Sequence, residues 1–441
     1  MMALNAMQIF MQLPKTNCGK CGFPTCLAFA MQLANQKTSL DSCPDISDAG
    51  RGALEGAAAP PIKKVKFGPA GAEVEIGDET EMFRHDKKFF HPTLLCQVIS
   101  DDDGDLEGKA SKAKDYEFDR IGQVMNLDTV AVRASGDVGK FKESAEKVNS
   151  LAGKPMILMA DDAGTIEGAA RSLASARPLL YRATQDNWEA MAGLAAELKL
   201  PLVVYCEDLN GLAELSDKVK GKGVGDIVLD FGPTKLGDAL RNLTILRRSA
   251  IKKKFRPFGF PVLLETSATD PGLMGALGVA KYASIVLFES VPVSTIYPIM
   301  TLRQNIYTDP QKPLQMEAKV YDISGPTNEN SPLMLTTNFS LTYFIVRGDI
   351  EKSKIPSKLL VVDTEGLSVM TAFAAEKLTA EGVAAFIKKL GLEESVAQKS
   401  IIIPGQIARM SGSLEEESGW KVIVGPRDSS GLPKFLKTQT S

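Results

Sequence analysis

Histidine is nearly missing from this chain: only His85 and His91 occur among 441 residues. Any chemistry that needs an imidazole as ligand or general base has no supply beyond position 91. Charge of one sign is not in excess either. Lys+Arg 51 against Asp+Glu 54 gives a formal net charge of -3, so there is no basic surplus for a nucleic-acid backbone. No apolar run approaches the roughly 20 residues that cross a bilayer. The opening MMALNAMQIFMQLPK has neither a basic n-region nor a small-residue cleavage site, so no signal peptide is expected. Neither GxGxxG nor GxxxxGK[ST] occurs, which disfavours a nicotinamide or P-loop nucleotide. Cysteine is scarce as well, with 6 in the whole chain, four of them between residues 18 and 43. That crowding fits a reducing compartment, the cytoplasm, better than a disulfide framework.

What is present is the composition of a globular protein, 44% hydrophobic and 24% charged, over a length that calls for two or three domains. The segment NCGKCGFPTCLAFAMQLANQKTSLDSCP, residues 17–44, spaces its cysteines as C-x2-C-x4-C-x16-C: Cys18, Cys21, Cys26 and Cys43. Short loops gather the first three thiolates at one metal centre. Gly19 and Gly22 permit tight turns and let backbone N–H groups approach sulfur. From Leu27 to Ala34 apolar residues recur at helical spacing, so a helix leaves the site and covers it. Four thiolates suit zinc or an iron–sulfur cluster. Structural zinc usually pairs two CxxC knuckles and here there is one, which with the x4 gap favours a [4Fe-4S] cluster. Cys96 and Cys206, in LLCQVI and LVVYCED, are read as buried strand residues.

The cluster domain is expected over residues 1–58. AGRGALEGAAAPPIKK (49–64) is rich in Ala, Gly and Pro, and 59–92 is expected to be linker. From residue 93 a pattern repeats. Apolar, β-branched runs stand at 94–100, 129–134, 155–160, 177–183, 200–206, 226–232, 260–266 and 283–290, with helical periodicity between them. Continuous apolar strands alternating with helices mean a parallel sheet covered on both faces. Eight of them predict a TIM (β/α)8 barrel over 93–310. Its strand ends carry Asp161, Asp162, Glu207, Asp208, Asp230, Glu265 and Glu289, an acidic rim that either binds a ligand or merely caps helices and stays solvated.

A connector is expected over 311–335 and a second α/β unit over 336–441, an open parallel sheet with strands at 340–348, 358–366, 399–405 and 421–428. Ligands bind such sheets beyond the strand carboxyl ends. Those ends carry TEGLSVMTA, PGQIARMSG and VGPRDSSGLP, loops full of Gly, Ser and Thr.

Cluster module, barrel and small α/β module in this order, with QLPKTNCGKCGFPTCLAFAMQLA…SLDSCP and TEGLSVMTAFAAEKL, resemble the large (gamma) subunit family of the corrinoid/iron–sulfur protein of the reductive acetyl-CoA (Wood–Ljungdahl) pathway. The resemblance spans essentially the whole chain. It implies an anaerobic carbon-fixation system in which the chain is a methyl carrier within a methyltransferase system rather than a complete enzyme. A cobalt corrinoid in a Rossmann-like C-terminal module would accept a methyl from methyltetrahydrofolate through a separate methyltransferase and deliver it to acetyl-CoA synthase. The [4Fe-4S] cluster, fed by a ferredoxin-like donor, would return Co(II) to Co(I). A smaller TIM-barrel subunit would complete a heterodimer over the corrinoid. With no histidine after His91, a base-off cobalt without a protein nitrogen ligand is expected. Matching loops nominate the corrinoid contacts. Thr336 and Thr342 would flank the start of the first strand. Gly366, Leu367, Ser368, Val369 and Thr371 would form the second loop, Gly405 and Ala408 the third, and Arg427, Ser430 and Gly431 the fourth. Two other readings stand beside this one: a barrel that transfers a pterin-bound methyl in cis, and an electron-transfer subunit without corrinoid.

Overall fold

The computed structural model describes residues 6–34, 38, 40–47, 50, 54, 60–84, 91–308 and 313–439. It divides into two compact units, one of residues up to 118 with 125–307, the other of 119–124 with 308 onward. His85 and residues 55–59 of the Ala/Pro-rich stretch lie outside the described residues.

From residue 60 the chain forms a hairpin, β1 (Val65–Phe67) and β2 (Val74–Ile76), then β3 (Leu94–Ser100) and a two-stranded ribbon, β4 (Glu117–Arg120) and β5 (Gln123–Asn126). The remaining strands of the first unit are β6 (Thr129–Arg133), β7 (Met156–Met159), β8 (Leu179–Ala183), β9 (Leu202–Tyr205), β10 (Ile227–Asp230), β11 (Val262–Glu265) and β12 (Ile285–Phe288). β3 and β6–β12 close an all-parallel barrel, one strand inside each of the eight apolar runs. The two-residue period of a strand explains why these runs are apolar throughout. Cys96, Val98, Ile157, Met159, Val203, Val228, Leu263 and Leu287 pack into the barrel interior. Their neighbours Leu95, Ile99, Leu158, Leu202, Val204, Leu229, Leu264 and Val286 pack outward in the cluster that includes the helices. Burial pushes the Cys96 thiol up to about 12, as befits an inert core residue. Cys206 departs from its expected place: it falls just past β9 and is half-buried.

The segment expected as linker, 59–92, is instead the floor of the barrel over its described residues. β1 and β2 pair antiparallel, and Val65, Phe67 and Ile76 belong to the interior cluster. Lys63 N–H donates to Gly259 O at 2.9 Å, Gly68 N–H to Arg177 O at 3.0 Å, and Lys63 Nζ to Gly225 O at 2.7 Å. All three acceptors lie just ahead of barrel strands, at their amino-terminal ends. Composition marked the chain around residue 60 as irregular; the short β-rich runs VKF and VEI were too brief to register.

In the second unit β13 (Val320–Ile323), β14 (Leu333–Thr337), β15 (Ser357–Val362), β16 (Ser400–Ile403) and β17 (Lys421–Val424) make one sheet in the order β13-β15-β14-β16-β17. Only β13 runs antiparallel. The expected strand over 340–348 is wrong. That stretch lies in a helix, Ser340–Ser353, and the strand precedes it, largely inside the expected connector 311–335. SLTYFIVRG is rich in strand-forming residues, but Tyr343, Val346 and Ile350 recur at helical spacing and pack together against one sheet face. After β15 the chain forms two helices, Val369–Ala374 and Ala380–Lys389, the second capped by Thr379 accepting from Gly382 N–H. QIARMSGSLEEESG divides into a 3-10 turn, Gly405–Met410, and a helix, Ser411–Ser418.

Phe67 is fully buried. Phe67→Ala is expected to lower barrel stability by about 3–5 kcal/mol in urea unfolding, the loss typical of a large core side chain. A linker residue would lose almost nothing.

Candidate functional site

Three places hold the residues singled out by sequence. In the first, helices Ala6–Gln12 and Cys26–Ala34 enclose a small core of Ile9, Leu13, Phe29, Leu33 and Leu40, with Cys26 and Cys43 in it. Cys21 is half-buried and Cys18 exposed. Gly19 at φ +69 and Gly22 at φ +82 take the left-handed turns that the CGKCG spacing calls for. Asn17 clamps the site from both sides. Its Oδ1 accepts from Cys26 N–H at 2.8 Å, and its own N–H donates to Cys26 Sγ at 3.4 Å. Thr25 Oγ1 accepts from Ala28 N–H at 3.0 Å and starts the covering helix. Lys20 and Asp45, 3.0 Å apart, tie the first loop to the turn that carries Cys43. Burial pushes the Cys43 thiol up, against a backbone hydrogen bond at Asp45 that lowers it, and the charges of Cys21, Cys26 and Cys18 add to the rise. Among the described residues no three His, Cys, Asp or Glu side chains converge tightly enough to hold a single metal ion.

The second place is a cavity of about 380 Å³ at the carboxyl ends of β14, β16 and β17. Thr336, Thr342, Ser368, Val369 and Arg427 line it, as nominated. Thr336 and Thr342 meet there for a different reason than expected: one ends β14 and the other lies in the first turn of helix Ser340–Ser353. That helix also brings Ile345 and Val346 to the wall, three and four residues on from Thr342, residues missed because the stretch read as a strand. Thr336 is 1% exposed and its hydroxyl has no hydrogen-bond partner. Exposed apolar side chains, Leu341, Ile345, Met370 and Val424, stand in the elements around it.

The other nominated residues shape loops and do not line the cavity. Gly366, at φ +77, donates its N–H to Asn338 Oδ1 at 3.0 Å, and a Cβ there would stand 2.8 Å from Gln315 Cγ. Leu367 N–H donates to Thr364 O, and Thr371 Oγ1 lies 3.0 Å from Ser368 Oγ. Gly405 N–H donates to Pro426 O at 3.1 Å, and a Cβ at 405 would stand 2.5 Å from Gly425 O, so this glycine lets two loops meet. Ala408 O accepts from Ser411 Oγ. Ser430 and Gly431 close a turn on Asp428.

The third place is the barrel's carboxyl-terminal mouth, with a cavity of about 580 Å³. Its acidic rim is answered from within. Arg182 Nε donates to Asp161 Oδ1 at 2.9 Å, and Nη1 donates to Tyr181 Oη at 2.7 Å, 3.5 Å from Glu265 and 3.7 Å from Asp230. Its guanidinium lies 3.7 Å from the centre of the Tyr205 ring. Tyr181 Oη donates to Glu265 at 2.5 Å, and Arg133 pairs with Glu289 at 2.6 Å. Asp162 and Asp208 cap helices, and Glu207 accepts from Tyr205 Oη.

Burial, then repulsion from Glu265, pushes Asp230 up to about 7. Its folded value lies above its unfolded one, so the fold loses stability as pH rises from about 4 to about 7, where the unfolded chain gives up this proton first. Asp230→Asn removes that loss. The variant is expected to gain stability relative to wild type as pH rises from about 4 to about 8, measured by urea unfolding at both pH values.

Comparison with known proteins agrees with this layout. The family model for the CO dehydrogenase/acetyl-CoA synthase delta subunit matches residues 64–436. An Fe-S cluster family model matches residues 13–44, which contain all four clustered cysteines. The corrinoid/iron–sulfur protein large subunit of Moorella thermoacetica is 47% identical over 442 residues, 99% of each chain. The acetyl-CoA decarbonylase/synthase complex subunit gamma of Methanothermobacter thermautotrophicus is 38% identical over 454 residues, again 99% of each. Among solved structures, dihydropteroate synthase from Thermus thermophilus is 18% identical with a TM-score of 0.38, covering 49% of this chain and 95% of that one. With near-complete coverage at these identities, the chain belongs to the family of corrinoid/iron–sulfur protein large subunits and acetyl-CoA decarbonylase/synthase gamma subunits.

Proposed function

We propose that this chain is a methyl carrier: its C-terminal cavity holds a cobalt corrinoid, and Cys18, Cys21, Cys26 and Cys43 hold a [4Fe-4S] cluster that keeps the cobalt reduced. When bound, a corrinoid supplies a low-valent cobalt nucleophile that takes up and releases a methyl group, and the cluster supplies single electrons. One observation carries the reading. Thr336, whose hydroxyl is buried and has no partner, lines a cavity at the ligand-binding edge of a parallel sheet. The chain has no histidine beyond residue 91 to offer the metal. The names of the relatives support the same pair of cofactors, since one is a corrinoid/iron–sulfur protein.

The chain's own residues bind and orient. The Thr336 hydroxyl, with Thr342, Ser368 and Arg427, offers hydrogen bonds to the polar groups of the corrin side chains and nucleotide tail. Ile345, Val346, Val369 and Met370 exclude water from its apolar edges. Gly366, Leu367, Thr371, Gly405, Ala408, Ser430 and Gly431 hold the loops that carry these groups. At the cysteines, Asn17 N–H directed at Cys26 Sγ and the surrounding apolar core tune the cluster's potential. Methyltetrahydrofolate as source, through a separate methyltransferase, and acetyl-CoA synthase as acceptor fit the relatives' place in acetyl-CoA decarbonylase/synthase complexes. A smaller barrel subunit and a ferredoxin-like donor complete the partners. Transfer by the barrel in cis is disfavoured, because Arg182 already occupies the acidic mouth.

Anaerobic purification with the smaller subunit is expected to give cobalt and about four irons per chain. Cys18→Ala and Cys43→Ala should keep the cobalt and lose reactivation of Co(II) by electron donors. Iron without cobalt in the wild-type protein would leave only an electron-transfer subunit.

A further inference from the structure

Asn338 follows β14, two residues beyond Thr336, and is 2% exposed. Its backbone is already engaged: its N–H donates to Val362 O at 2.9 Å and its C=O accepts from Met316 N–H at 2.8 Å. The side-chain amide then meets five further groups. Oδ1 accepts from Thr364 N–H at 3.0 Å, Gly366 N–H at 3.0 Å and Thr364 Oγ1 at 3.1 Å. Nδ2 donates to Asp363 Oδ1 at 2.9 Å and to Gln315 Oε1 at 3.3 Å. Three donors converge on one end of the amide and two acceptors on the other, which fixes its orientation.

These bonds join the loop to the end of β14; its other ties include the turn bonds of Glu365 N–H to Asp363 Oδ1 and Leu367 N–H to Thr364 O, and Lys377 Nζ to Glu365 Oε1 at 2.7 Å. Residues 363–367 run through left-handed backbone at Glu365, φ +58, and Gly366, φ +77. They deliver the chain to Ser368, the first residue of the cavity wall from this side, and so to Val369 and Met370. None of residues 363–367 lines the cavity itself. We infer that Asn338 is a positioning residue for the cofactor site: by gathering Thr364, Gly366 and Asp363 it sets where Ser368–Met370 stand over the cavity, without touching what binds there. The inference rests on the corrinoid reading of that cavity.

The pairing with Asp363 makes the role separable from size and burial. Asn338→Asp keeps the shape and the three accepted bonds, but turns the donor toward Asp363 into a second carboxylate. Two carboxylates then face each other where one hydrogen bond stood, and the loop is driven off. Adding Asp363→Asn restores a donor–acceptor pair with the polarity reversed. Gln315 can turn its amide to donate. In the wild type a single oxygen, Asp363 Oδ1, accepts from both Asn338 Nδ2 and Glu365 N–H at 2.9 Å, so an amide that donates from that position to the carboxylate introduced by Asn338→Asp gives up the bond from Glu365 N–H, and the rescue is partial.

The experiment uses the full chain, anaerobically purified and freed of corrinoid, titrated with cob(II)alamin and followed by absorption. Amide hydrogen exchange over residues 363–371 is measured in the same ligand-free proteins. N338D is expected to bind about tenfold or more weakly and to exchange faster at Thr364 and Gly366. N338D/D363N should recover part of both. Wild-type affinity in N338D, or a double variant as weak as the single one, overturns the positioning role. If the wild-type protein does not take up cob(II)alamin, the corrinoid reading falls instead. Unchanged exchange in N338D would still overturn the positioning on its own.

Discussion

A strand that ends inside a protein must leave its polar groups somewhere, and the end of β14 sets the terms for the C-terminal unit. Its last residues, Thr336 and Thr337, are buried with hydroxyls that have no partner, and Asn338 directly after them is buried with every polar atom engaged. An unmet buried hydroxyl costs the fold free energy, of order 1–3 kcal/mol. The fold keeps such groups at both threonines, and one of the two residues, Thr336, lines the cavity. The fully bonded Asn338 secures the neighbouring loop. Tension and anchorage thus lie two residues apart in the chain.

The barrel resolves the same problem in the opposite way. Its carboxyl edge, where barrels usually place their chemistry, gathers acidic side chains, and a cation from the same barrel occupies their centre. Arg182 is held by Asp161, Tyr181 and the face of Tyr205, with Glu265 and Asp230 close by. Asp162 and Asp208 cap helices. The acidic groups of this mouth are thus largely paired within the barrel itself.

Much of this was legible in the chain, and what was not has particular causes. The barrel strands declared themselves because burial on both faces makes each a continuous apolar run. The four cysteines declared themselves by spacing. The floor hairpin did not, because VKF and VEI are three-residue strands set among Pro and Gly. Helix Ser340–Ser353 did not, because its β-branched and aromatic composition outweighed the helical recurrence of Tyr343, Val346 and Ile350, and with it went Ile345 and Val346 of the cavity. Glycines 366, 405 and 431, nominated as corrinoid contacts, stand in the loops around the cavity and do not line it. Asn338 carried no signal at all: a single Asn after a strand looks like any turn residue until its five partners are seen.

The central claim is that this chain presents a metal-binding corrinoid site with no protein nitrogen for the metal, and an EPR spectrum of the Co(II) state of the anaerobically purified protein tests it most directly. The expected spectrum is that of base-off cobalt without superhyperfine splitting from a protein nitrogen. A triplet splitting that becomes a doublet when the protein is labelled with nitrogen-15 would contradict the claim.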